Sequence, residues 1–173
     1  MSKWREHYLV DGYNLIHAWE ELRELELYIA RDRLTHLLIE YGGYEQFNII
    51  LVFDAAFTED DEKIEDYGEH FRVIYTAGGE SADKVIERLT YELIHRRKEV
   101  HVVSSDAVIE TVILGAGAYR HPSREFCRAV KRAKQQLRKE YLGNVTLPVV
   151  RSEVGDRLDQ NVFAKLDALR RRK

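Results

Sequence analysis

The sequence predicts an α/β fold: a central parallel sheet with helices on both faces. Three observations predict it. Four short runs rich in Val, Ile, Leu and aromatic residues read as strands. Two of them are near-continuous rather than alternating, the pattern of strands covered on both faces. Helical patterns lie between them, in the order strand, helix, strand, strand, helix, strand, helix.

The elements follow in chain order. "HYLVD" (7–11) is the first strand. Residues 18–41 read as one long helix, with Leu34, Leu37, Leu38 and Tyr41 at 3–4 spacing, stopped by Gly42 and Gly43. "FNIILVFD" (47–54) is the second strand, and the acidic stretch 58–70 that follows reads as an exposed loop or short helix. "FRVIYT" (71–76) is the third strand. Residues 81–97 form a helix capped by Ser81, with Val85, Ile86, Leu89, Leu93 and Ile94 on one face. "VHVVSSD" (100–106) is the fourth strand, and a short apolar helix spans 106–115. "GAGAYR" (115–120) follows a helix rather than a strand, so it reads as a helix C-cap and turn, not a phosphate loop. Residues 123–143 and 156–172 close the chain as helices, with a weak edge strand at 145–150 between them, where Pro148 excludes a central position.

The 173 residues fit one domain, 1–173, of which 119–173 is a basic, largely helical part. The lone Cys127 excludes a disulfide framework within the chain and suits a reducing compartment. The first ten residues lack the apolar core of a signal peptide, and no run approaches a membrane span, so the expectation is a cytoplasmic protein with no membrane partner. A net charge of -3 conceals a balance of -12 over residues 1–118 and +9 over 119–173. A basic end on an acidic body is a mark of a polyanionic partner, although a solvated helix surface explains it as well.

Three strands end on an aspartate: Asp11, Asp54 and Asp106. Ligands of an open parallel sheet bind outside the carboxyl ends of its strands. These acids therefore belong on one rim, joined by Asp83 at the start of the helix that follows "GGES". A single such aspartate is most often a turn former or helix cap. Four together raise one another's pKa unless a cation sits among them. Their hard oxygens suit one or two Mg²⁺ or Mn²⁺ ions. The seven scattered histidines and the lack of a Cys/His pair at ligand spacing argue against zinc, and no nucleophile constellation or organic cofactor motif is present. Carboxylate-held ions of this type activate water and neutralise phosphate in phosphoryl chemistry. Gly12 next to Asp11 reads as a tight turn, and Tyr13 as either a core aromatic or a ring near substrate.

With these residues in view, the chain resembles the NYN branch of the PIN-like nucleases, and within it the YacP-like bacterial family. "LVDGYNLIHAW" (9–19), "ILVFDA" (50–55), "VIYTAGGESADKVIERL" (73–89), "VHVVSSDAVIE" (100–110) and "GAGAYRHPSREF" (115–126) carry the resemblance, in family order. Pro122 departs from the pattern. The resemblance implies a PIN-like three-layer α/β/α fold and a metal-dependent endoribonuclease. It implies metal-ligand roles for Asp11, Asp54, Asp83 and Asp106, and a catalytic contact from Asn14. It implies a supporting hydroxyl at Ser105, with Glu80 as an outer candidate. Messenger RNA and the ribosome are the partners it implies.

Along 120–141, at about 100° per residue, Arg120, Arg124, Arg128, Lys131, Arg132, Lys134, Arg138 and Lys139 share one broad helical face, opposite Phe126, Val130, Ala133 and Leu137. Only Glu125 and Glu140 interrupt it, so Arg120, Arg124, Arg128, Lys131, Arg132 and Arg138 are the expected RNA contacts. Two rivals remain in view. A non-catalytic RNA- or ribosome-binding module has no use for four mutually repelling acids. A receiver-type phosphoacceptor needs a lysine after a late strand, where this chain has Arg151.

Overall fold

Strand β1 (Glu6–Asp11) lies inside a six-stranded sheet of order β3-β4-β2-β1-β5-β6. It is central because Leu9 and Val10 are both fully buried, one against each helical layer. A computed structural model of the chain describes residues 4–55 and 60–144. β2 (Asn48–Phe53) and β5 (Glu99–Val103) flank β1, both parallel to it. β4 (Phe71–Tyr75) lies outside β2 and β6 (Tyr119–His121) outside β5, again parallel. β3 (Lys63–Asp66) adds the one antiparallel edge among the described residues.

The helices form the outer layers of the expected α/β/α sandwich. α1 (Gly12–Ala18), α2 (Glu20–Arg23), α3 (Leu27–Glu45) and the start of α6 (Ser123–Asn144) cover one face, around Tyr8, Val10, Leu51, Phe53 and Val73. α4 (Ala82–His95) and α5 (Ala107–Ala116) cover the other, around Leu9, Val52, Ile74, Val100 and Val102. Ser81 caps α4 as expected, its hydroxyl accepting from the Lys84 N–H at 3.4 Å. The chain divides into two compact units, residues 1–137 and 138–173, and of the second only residues 138–144 are described. The strand expected at 145–150 and the helix at 156–172 lie outside the described residues.

Several expectations are corrected. The single helix over 18–41 is two helices, α2 and α3: α1 ends at Ala18, Trp19 is extended at φ -104°, and the chain breaks again before Leu27. α1 leaves the end of β1 directly, so the chain must turn before α3 can run back to deliver a parallel β2. Gly42 and Gly43 do not stop α3, which continues to Glu45 and ends on left-handed Gln46. Gly42 serves close packing instead: a Cβ there would lie 2.9 Å from Ile49 Cδ1. The acidic stretch 58–70 contains β3, a charged strand that pairs with β4 from Lys63↔Tyr75 to Asp66↔Arg72. β6 was not expected, and at three residues it is too short to leave a pattern. Arg120 sits on it and so lies off the basic helical face, while α6 begins at Ser123 as the sequence predicts.

Candidate functional site

The sheet's connections reverse direction at β1: the chain passes from β1 to β2 and β4 on one side, then crosses by α4 to β5 on the other. The carboxyl ends of β1 and β5 thus border the crevice where such sheets bind ligands. Asp11 is the last residue of β1, and Asp54 follows β2 directly. Asp106 lies three residues past β5, and Asp83 in the first turn of α4.

Two of these acids are also helix caps. Asp11 Oδ1 accepts from the Asn14 N–H at 3.1 Å and starts α1. Asp106 Oδ1 accepts from the Val108 N–H at 2.8 Å and starts α5. The local and the chemical readings of a strand-end aspartate are therefore compatible, because capping uses one oxygen and leaves the other.

The electrostatics join all four. Burial is the main cause that pushes the Asp11 carboxyl up to about 6, against the opposing Asn14 N–H bond; the charges of Asp83, Asp106 and Asp54 add to it. Burial also raises Asp83, with Asp106 and Asp54 contributing. Among the described residues no ion-pair partner stands by Asp11, Asp83 or Asp106. Likewise, no three His, Cys, Asp or Glu side chains in the described residues stand close enough to grip a metal ion as arranged. The donor chemistry nevertheless fits a hard divalent cation: the four candidates are all carboxylates, and Asp11, raised mainly by burial and further by the charges of Asp83, Asp106 and Asp54, has no paired cation among the described residues.

Asn14 ties the rim together. Its Oδ1 accepts from the Ser105 N–H at 3.0 Å and from the Ser123 hydroxyl at 2.5 Å. Ser105 Oγ in turn accepts from the Ser123 N–H at 3.0 Å. The ends of β1 and β5 and the start of α6 are thus locked by three side chains. Sequence reasoning missed Ser123, fully buried, and Ser104, whose hydroxyl accepts from the Asp106 N–H at 3.1 Å. It also missed buried Thr76, whose hydroxyl accepts from the Ala55 N–H at 3.0 Å beside Asp54. The available signal was small: Thr76 directly after β4, Ser104 directly after β5, and Ser123 at the start of α6. Gly12 has no positive φ; its need is space, since a Cβ would come within 2.3 Å of the Phe53 ring. Tyr13 packs at the core edge, its ring 5.2 Å from Phe53.

The remaining candidates are sorted by their partners. Glu80 pairs with Arg88 at 3.0 Å, and Arg88 also reaches Glu62. Arg120 pairs with Glu110 at 3.0 Å. Lys131 is held by Glu21 at 2.6 Å and lies over the Trp19 ring. Arg124, Arg128 and Arg132 are exposed on successive turns of α6, while Phe126, Cys127 and Val130 turn into the core. Pro122 initiates this helix, its carbonyl accepting from the Glu125 and Phe126 N–H groups. Arg138 is exposed in the second unit.

Comparison with known proteins gives a consistent result. The family model described as a YacP-like NYN domain matches residues 8–171. The chain is 36% identical over 132 residues to the Bacillus subtilis (strain 168) protein YacP, named as uncharacterized, covering 75% of this chain and 77% of that one. The crystal structure of a point mutant of Rae1 (YacP) from Bacillus subtilis matches with a TM-score of 0.71 at 30% identity, over 95% of this chain and 99% of the other. A second Rae1 (YacP) crystal structure from Bacillus subtilis matches with a TM-score of 0.68 at 30% identity, over 95% and 94%.

Proposed function

The chain belongs to the YacP-like NYN domain family, a nuclease-type family, and we propose that it is a divalent-metal-dependent endoribonuclease that hydrolyses messenger RNA, acting on the translating ribosome. One observation carries this reading: a partly buried Asp11 at the sheet's switch point, its carboxyl raised by burial and by the charges of Asp83, Asp106 and Asp54, without a cationic partner among the described residues. A fold has no structural use for that repulsion, whereas a metal-assisted phosphodiester hydrolysis does.

Asp11, Asp54, Asp83 and Asp106 would hold Mg²⁺ or Mn²⁺, which when bound supplies charge neutralisation at the scissile phosphate and a more acidic water. Asn14 holds the ends of β1 and β5 in register through its Oδ1, so what it can offer a ligand is its amide N–H₂ group. Ser105 and Ser123 fix that orientation. The exposed Arg124, Arg128 and Arg132 supply phosphate contacts on the α6 side. Water attack in line with the 3′ oxygen leaves a 5′-phosphate and a 3′-hydroxyl.

The test is cleavage of a labelled messenger RNA with Mn²⁺ or Mg²⁺, with and without active translation, beside Asp106→Asn. Asparagine caps helices as well as aspartate does, so the variant keeps α5 and isolates the chemistry. Cleavage lost in the variant supports the proposal, and dependence on translation identifies the ribosome as partner. Absence of both cleavage and metal binding in the unaltered protein would leave a non-catalytic RNA- or ribosome-binding module, which the α6 arginines serve equally well.

A further inference from the structure

One cation near the acid rim differs from the others. Arg88, Arg120, Lys63 and Lys131 each have a carboxylate within 3.2 Å. Arg124, Arg128 and Arg132 are exposed to water. Arg31, in the first turns of α3, is half-buried, yet it has no carboxylate at ion-pair distance among the described residues. Glu65 feels its charge from farther away but is bonded to Lys63 and Tyr67. The Arg31 guanidinium instead lies 5.8 Å from the centre of the Tyr75 ring, and its Nη1 is 3.5 Å from the Tyr13 hydroxyl.

Those two tyrosines place it. Tyr13 is two residues past Asp11. Its ring is 5.2 Å from Phe53, which directly precedes Asp54, and Phe53 stacks at 5.6 Å on Tyr75, its register partner across β2 and β4. The three rings form a row at the strand ends beside Asp11 and Asp54, and Arg31 spans its outer two members. An aromatic face orients a guanidinium without neutralising it. A half-buried guanidinium that gives one long N–H bond to the Tyr13 hydroxyl and has no carboxylate partner among the described residues keeps donors free to match the geometry of a phosphate.

We propose that Arg31, held against Tyr13 and Tyr75 on the α3 flank of the acid rim, binds a backbone phosphate of the RNA strand next to the cleaved one. The proposal rests on the nuclease reading and extends it, by giving the strand a path on the side of the rim away from α6. Arg31 is a substrate-binding residue, and Tyr13 positions it.

The test is binding of a labelled single-stranded RNA without divalent ions, so that cleavage does not intervene, across a series of salt concentrations. The proteins are the unaltered chain, Arg31→Ala, Arg31→Gln, Arg31→Lys and a combined Arg124→Ala, Arg128→Ala, Arg132→Ala variant. Loss of one phosphate contact should weaken binding by roughly 5- to 10-fold in both Arg31→Ala and Arg31→Gln and lower the salt slope by about 0.7, while Arg31→Lys keeps the slope. Glutamine retains most of the packing on Tyr75, so weakening in alanine alone, with an unchanged slope, would mean a structural role and overturn the proposal. Unchanged binding in both, with weakening in the α6 variant, would overturn the Arg31 site and leave RNA binding intact. Failure of the unaltered chain to bind RNA would overturn the RNA reading and this site with it.

Discussion

β1 carries an acid at each end, and the two are treated in opposite ways. Glu6, at the start, accepts from the Tyr8 hydroxyl at 3.2 Å and lies 3.5 Å from His101 Nε2. His101 is stacked between Tyr8 at 4.6 Å and Tyr119 at 4.9 Å, and its Nδ1 is 2.8 Å from His121 Nε2. Glu6 thus has a hydroxyl donor and an imidazole ring beside it. Asp11, at the other end, has one backbone N–H and three further carboxylates. Compensated polar clusters hold a fold together; an uncompensated one marks where a ligand completes the structure.

Substitutions should separate the two ends. The largest expected effect is at the acid end: Asp11→Asn should lower metal-stimulated RNA cleavage by on the order of 10³-fold or more, about 4 kcal/mol of barrier, with no loss of stability in denaturant melts. At the other end His101→Ala removes a buried ring between two tyrosines. It should cost about 3 kcal/mol of stability in the same melts, with cleavage per folded molecule unchanged. Loss of cleavage from His101→Ala, or of stability from Asp11→Asn, would break the contrast.

The next effect is a pH dependence. The folded Asp11 holds its proton up to about pH 6, the unfolded one only to about 3.8. Protonation therefore favours the folded state. Without metal, stability should rise by on the order of 2 kcal/mol relative to Asp11→Asn as pH falls from 7 toward 4. His7 and His121, held below the ordinary histidine value mainly by burial, act in the opposite direction but equally in both proteins. Added Mg²⁺ or Mn²⁺ should flatten the trend by favouring the ionised form. Equal pH profiles for the two proteins would show that the folded state does not favour a protonated Asp11. The smallest effect is at Gly12, where a methyl group must displace the Phe53 ring: Gly12→Ala should cost about 1–3 kcal/mol in a thermal melt.

The placement of Asp11 and Asp54 at strand ends was legible because each directly follows an apolar run, and strand ends of a parallel sheet share one edge; Asp106 instead lies beyond two serines, three residues past β5. The hydroxyls that hold the rim were not legible. Ser123 reaches Asn14 across 109 positions of sequence, and nothing local to either residue announces the bond. The basic face was half legible. Periodicity placed Arg124, Arg128 and Arg132 on the exposed side of α6, but Lys131 shares that arc and is taken by Glu21, 110 residues away.

By itself the sequence determined what depends on near neighbours: the strands, from runs of apolar residues, and the starts of α4 and α5, from the polar residues that cap them. Only the tertiary structure decided the bend at Trp19, the passage of α3 through two glycines, and which of the cations keep their charge uncompensated. The physical reason is the same for all three. Each is settled by a partner distant in the chain, whether a facing strand, a packed ring or an opposite charge, and short-range pattern carries no record of which distant residues the fold brings together.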